Sequence, residues 1–456
     1  MDLMYYAGET LKFEDGKNRR ILFDTRTALP VYLPFLFFCE KNTHRSFSRQ
    51  CAVTTAIQSW YAFWQQKYGR TFCASFIDSD YNVQQCIEEI PTFLNFMKDG
   101  GIYFDNVAQL TTPIEALNVL PSTLSARLRD VGLFLKYLIS RYASSKIMDG
   151  DIQDIQRYAQ SLRLSLDFEI KELQTMLDNS MKTVSRKKSG SADNDQYKSL
   201  DVSQVNALIQ VIRPSTAQKP NTLNPRDDSD VQLRNYVMSL LMLRLGLRIG
   251  EVRLLEVNSV RPNVSGHGYT LDVRVADDKD FETSVEAELK NQYATREVPL
   301  PADLYKLIHI YIEKARFTDK GKTQRPRHRR LFLGGGDQPI SYHSVLSFLK
   351  DAYDVIKKHF PALCDTENYA GAIPTLTPHM LRHTWANAEL AKQVAIFQKR
   401  NPNNHRGAVE SAKSILRSKG GWSHASRMPD HYGKRFLQDS ASNHRLLAYY
   451  MKSKWM

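Results

Sequence analysis

"LTPHMLRHTWAN", residues 376–387, sets two histidines and an arginine within five consecutive positions. Thr377 is suited to cap a helix and Pro378 to open it. A helix starting there puts His379, Arg382 and His383 at i, i+3 and i+4, on one face. Cationic donors beside a helix N-terminus form a place to hold an anion. The plain alternative is a pair of core histidines satisfied by carbonyls, and His383 is expected to be the more structural of the two. Leu381, Thr384, Trp385 and Ala388 are expected to face the core.

A chain of 456 residues is too long for one ordinary core, so two domains are expected. Its formal net charge of +13 favours a polyanionic partner, nucleic acid or an anionic membrane. The membrane is the weaker choice: the longest strongly apolar run, "VYLPFLFFC" (31–39), is too short to span and contains Pro34. No signal peptide is expected, because the first twenty residues lack a basic region followed by an apolar stretch. The cysteines Cys39, Cys51, Cys73, Cys86 and Cys364 are odd in number and widely spaced. They form no zinc spacing, so reduced thiols and no metal are expected.

The first third reads as mainly helical. "TTAIQSWYAFWQQKYG" (54–69), "STLSARLRDVGLFLKYLISRY" (122–142) and "DIQDIQRYAQSLRLSLDFEIKELQTMLDNSM" (151–181) carry apolar residues at helical spacing. "KTVSRKKSGSADNDQYKS" (182–199) then holds almost nothing to bury and reads as a linker. Its Lys182, Arg186, Lys187 and Lys188 could lie along a phosphate backbone, or simply be solvated.

The remainder is mixed. Residues 200–212 and 230–246 read as helices, the second stopped by Gly246. "YTLDVRV" (269–275) and "ATREVPL" (294–300) read as strands, and "RLFLGGG" (330–336) as a short strand entering a glycine turn. Helices are expected again at 302–317, 341–360 and after Pro378. The expected fold is therefore mainly α with a small antiparallel β-sheet, in two domains: a helical one over 1–181, a linker over 182–198, and an α+β one with a C-terminal tail over 199–456. Whether the first fifty or so residues form a separate extension is open at this level.

Three other segments carry candidate chemistry. "RLGLRIGEVRLLEV" (244–257) places Arg248 just past a helix stop, at the mouth of the next helix, where a guanidinium and backbone N–H groups could meet a phosphate. "ELKNQYATREVPLP" (288–301) reads as a hairpin bearing Lys290, which could deliver a proton. "GGWSHASRMPDHYGKRF" (421–437) holds Trp422, His424 and Tyr432, the last a phenol that could attack an electrophile. Each alone is equally well a surface or packing residue.

Together and in this order, "GLRIGE", the lysine hairpin ending in Val-Pro-Leu, "LTPHMLRHTWAN" and "GGWSHASRMPDHYGK" resemble the boxes of the tyrosine recombinase (phage integrase) family over residues 199 to 440 or so. The resemblance implies a DNA clamp: a helical core-binding domain followed by a tyrosine-recombinase catalytic domain. It implies Arg248, Lys290, His379, Arg382, Trp422 and Tyr432 as catalytic residues, with Glu251 and His383 supporting. Trp422 stands where the family more often has a second histidine, and His424 competes for that role. The implied reaction cuts and rejoins duplex DNA through a 3′-phosphotyrosyl intermediate at specific recombination sites, without cofactor or metal, in service of an integrative mobile element or prophage. The implied partners are a homotetramer on paired sites, a monomer or weak oligomer when free, and DNA-bending accessory proteins, in the cytoplasm with the nucleoid and away from membranes. Arg325, Arg327, Arg329 and Arg330, in the basic run 314–330, are expected to touch the DNA backbone. A type IB topoisomerase and a catalytically degenerate DNA-binding regulator are the rival readings.

Overall fold

The computed structural model describes residues 5–14, 17–99, 119–146, 151–188, 199–216, 218–263, 268–274, 295–317, 324–335, 337–365, 368–369, 371–400, 402 and 404–432. The chain divides into two compact units, Met1–Ala192 and Asp193–Met456.

Unit one opens with an antiparallel sheet absent from the sequence expectation: β1 (Tyr6–Lys12), β2 (Asn18–Asp24) and β3 (Leu29–Pro30), in the order β1-β2-β3. Tyr6 pairs with Asp24 and Lys12 with Asn18. Helices follow: α1 (Tyr32–Phe37), α2 (Phe47–Tyr68), α3 (Phe72–Asp78), α4 (Val83–Glu88), α5 (Ile90–Asp99), α6 (Pro121–Tyr142) and α7 (Ile152–Lys188). α2 begins seven residues before the expected start because Ser46 caps it, accepting from the Arg49 N–H at 3.3 Å. Its Trp60, Phe63 and Trp64 are buried among Phe72, Phe93 and Phe96, with Trp60 and Phe93 edge-to-face at 5.1 Å. Tyr6, Leu22, Val31, Leu33 and Phe37 share this core, so the described strands β1 and β2 and helix α1 pack into it. α7 continues to Lys188, and the first seven residues of the expected linker are therefore helical. Polarity excludes burial, not helix; Lys and Arg are good helix formers.

In unit two, α8 (Val202–Ile212) starts with a reciprocal cap: Asp201 accepts from the Gln204 N–H at 2.9 Å and Gln204 accepts from the Asp201 N–H at 3.0 Å. α9 (Ser229–Leu245) is buried on nearly every face, which makes it the central helix. It packs against α11 (Ala302–Lys314) and α13 (Pro378–Arg400). α10 (Ile249–Leu254), β4 (Val260–Pro262), β5 (Tyr269–Val273) and β6 (Arg296–Leu300) come between α9 and α11 in the chain, the strands forming an antiparallel sheet in the order β4-β5-β6. α12 (Tyr342–His359) packs on α8, and α14 (His405–Lys419) on α13. The strand expected at 330–336 is reduced to isolated bridges, Glu256 with Arg330 and Leu333 with Pro339.

Candidate active site

α13 begins at Pro378 as its local signals require, with the Met380 N–H bonded to the Thr377 carbonyl at 3.1 Å. Leu381, Thr384, Trp385 and Ala388 are buried as expected. The three basic residues of this segment differ sharply in exposure: His379 is exposed, Arg382 is 2% exposed and His383 is buried. A guanidinium enclosed to that degree must satisfy its donors inside the protein.

Arg382 does so with two glycine carbonyls. Its Nη1 donates to Gly246, just past α9, and its Nη2 to Gly420, which ends α14. Both positions need glycine. Gly246 has φ +66°, and a Cβ there would lie 2.0 Å from a Trp385 ring carbon. A Cβ on Gly420 would lie 1.9 Å from a Trp422 ring carbon. The two indoles are thus pressed against the backbone that holds the arginine, and Arg382 sits 4.5 Å over the Trp422 ring. Burial first, then the neighbouring Arg248 charge, push the Arg382 guanidinium down to about 9 against the pull of Glu251. It remains a cation at neutral pH.

Arg248 is the N-cap of α10. Its N–H donates to Glu251 Oε2 at 2.8 Å, its Nη1 to Glu251 Oε1 at 2.7 Å, and its Nη2 to the Gly421 carbonyl at 3.1 Å. Glu251 is fully buried and also receives Arg296 of β6 as a fork, at 3.0 and 3.1 Å. Burial drives the Glu251 carboxyl up. The Arg296 charge and hydrogen bonds, then Arg382 and Arg248, more than reverse this and hold it below its ordinary value. Arg296 is missing from the sequence-derived set. Its only sequence sign was an arginine opening the strand before Val-Pro-Leu, and its partner lies 45 residues away.

Tyr432 closes the site. It is 5% exposed, in a helical turn at 428–432 that Lys413 of α14 tethers through Asp430 at 3.2 Å. Its ring is 5.9 Å from Trp422, and its hydroxyl and His383 Nδ1 share a hydrogen bond. The histidine bonded to the phenol is therefore the one expected to support, not His379. His379 stands edge-on to His383 with ring centroids 4.4 Å apart. The reason is helical geometry: one step further along, His383 faces inward toward the tyrosine segment while His379 stays at the exposed end of the turn. Trp422 lies against Arg382 and Tyr432, whereas His424 is exposed.

Lys290 lies outside the described residues, as do the side chains of Lys182, Arg186, Lys187 and Lys188. The basic run divides. Arg330 is fully buried, donating to the Leu254 carbonyl at 2.7 Å and pairing with Glu256, so it is not open to a duplex. Arg325 donates to the Ile312 and Glu313 carbonyls at 2.6 and 2.7 Å, closing the C-terminal turn of α11. Arg330 was expected on DNA, but its burial on a carbonyl and a carboxylate keeps it inside, whereas Arg325 stays half-exposed beside those carbonyls. Arg327 and Arg329 are exposed, Arg329 paired with Glu256 at 3.1 Å. Among the described residues no helix is long and apolar enough to cross a membrane.

The model of the phage integrase family matches residues 198–396. No curated protein matches the chain closely enough to count as a relative. Among solved structures, a XerH site-specific recombinase bound to its difH substrate in a pre-cleavage complex is 12% identical, covering 90% of this chain and 87% of that one, with TM-score 0.34. A Tn1549 transposon integrase in complex with a circular intermediate DNA is 16% identical, covering 83% and 98%, with TM-score 0.30. Likenesses at this level are general, and the site is read from this chain's own residues.

Proposed function

For a chain that belongs to the phage integrase family of tyrosine recombinases, we propose cutting and rejoining of duplex DNA with Tyr432 as nucleophile. The observation that carries this is the convergence, within unit two, of Arg248, Arg382 and Tyr432 around Trp422 and Glu251.

A phosphodiester is anionic and resists attack, and a free phenol, with a pKa of about 10, is ionised at roughly one part in a thousand at neutral pH. Arg248 and Arg382 answer the first problem by placing cationic N–H donors on the non-bridging oxygens, each worth about 3–4 kcal/mol to the pentacoordinate transition state. His383 answers the second: its Nδ1 takes the phenolic proton as the Tyr432 oxygen bonds to phosphorus. The bond from phosphorus to the 5′-oxygen breaks, and that oxygen takes a proton, for which Lys290 is the proposed donor. Trp422 walls the site and orients the Arg382 plane. His379, exposed beside His383, is assigned to the phosphate rather than to the phenol. Attack by a 5′-hydroxyl of another strand reverses the step and exchanges strands. Specific recombination sites, a tetrameric synapse with DNA-bending helpers, a mobile-element role, and backbone contacts from Arg325, Arg327 and Arg329 belong to the same proposal.

The test uses a duplex recovered by binding selection from a random-sequence pool, then nicked beside the scissile phosphate so that the cut fragment diffuses away. The wild type traps covalently on it and Tyr432→Phe does not. Binding without trapping by the wild type supports a DNA-binding regulator instead, and relaxation of plasmid lacking the selected sequence supports a topoisomerase.

A further inference from the structure

We infer that Arg296 is a positioning residue of this reaction: it occupies the Glu251 carboxylate so that Arg248 and Arg382 stay available to the phosphate. The inference rests on the recombinase reading above.

An ionised carboxylate offers about four lone-pair sites. Around Glu251 all four are taken. Arg296 fills two through its fork at 3.0 and 3.1 Å, the Arg248 N–H one at 2.8 Å, and Arg248 Nη1 the last at 2.7 Å. Arg382 Nη1 stands 3.8 Å from Oε2, inside ion-pair range and beyond hydrogen-bond range. A carboxylate and a phosphate oxygen attract guanidinium by the same geometry. Without Arg296, two lone-pair sites of a buried anion would open beside the two arginines that must hold phosphate, and would compete for them.

Arg296 also acts on the backbone. Its Nε donates to the Lys419 carbonyl at 2.9 Å, one residue before Gly420, whose carbonyl receives Arg382. This bond is a minor anchor beside the loop carrying the Arg382 acceptor; the main action of Arg296 is to neutralise the Glu251 anion facing that arginine. With a side chain 9% exposed, Arg296 does not present its charge to bulk solvent as a surface arginine would.

The experiment measures the single-turnover rate of covalent trapping, and affinity, on the selected nicked duplex. R296Q should trap about a hundredfold more slowly, with affinity changed less than about threefold because other phosphate contacts dominate it. R296K, which restores charge without the fork, should fall between. In the E251Q background, where no anion competes, adding R296Q should cost less than about threefold in rate. Trapping by R296Q at the wild-type rate overturns the inference. So does a full hundredfold loss on adding R296Q to E251Q, which assigns Arg296 to the fold alone; this arm stands even if R296Q by itself does not fold. In both cases a wild type that traps leaves the recombinase reading intact. A wild type that never traps overturns both.

Discussion

Replacing Gly246 with alanine tests the packing that holds Arg382. Gly246 has φ +66°, where an L side chain costs about 1–2 kcal/mol. The added methyl would lie 2.0 and 2.2 Å from two Trp385 ring carbons, far inside van der Waals contact. Trp385 is 5% exposed and stacked near Trp422 at 6.3 Å, so it has little room to retreat. Overpacking of this kind adds about 1–3 kcal/mol. The total, about 2–5 kcal/mol, lowers the melting temperature by about 4–20 °C in a unit of this size. Gly69 is the internal control: its φ is +68° but nothing lies within 4 Å of the place an added methyl would take, so Gly69→Ala should cost only about 1–2 kcal/mol. Scanning calorimetry of both variants isolates the Trp385 clash as their difference. Equal destabilisation, or a Gly246→Ala protein melting within about 1 °C of wild type, would refute the account of how the arginine is seated.

Two further outcomes are expected. Glu251 is held below its ordinary value of 4.5, so its ionised network stabilises the fold fully above that pH and is lost as pH falls through the lower folded value; the melting advantage of wild type over Glu251→Gln should shrink progressively as pH falls below that ordinary value, and an advantage that grows on acidification contradicts the network. Asp430→Asn removes the 3.2 Å pair that ties the tyrosine segment to Lys413; a partly exposed pair is worth about 0.5–1 kcal/mol, so trapping on the nicked duplex should slow about two- to fivefold with a melting shift under about 4 °C.

What could be read from the sequence was local. The Thr377-Pro378 start of α13, the Gly246 stop of α9 and the Arg248 position at the mouth of α10 each follow from cap chemistry within a few residues. The Glu251 hub could not be read this way, because Arg296 is 45 residues away and only the sheet brings it back. Nor could the seat of Arg382, whose acceptors are backbone carbonyls that carry no side-chain signal, one of them 136 residues distant. The β1–β2 hairpin escaped for another reason: Tyr6 is the only buried residue of β1, so its alternation is too weak to register against the helical, aromatic-rich segments after it. The basic run 314–330 misled because charge reports composition, not direction; Arg330 points its charge inward to a carbonyl.

The most direct measurement maps the bond itself. Wild-type protein trapped on the nicked duplex is digested with protease and nuclease, and the residue carrying nucleotide is located by mass spectrometry. The adduct should sit on the peptide containing Tyr432, linked to a 3′-phosphate. An adduct on any other residue, or one joined to the 5′ side of the break, contradicts the assignment of the nucleophile.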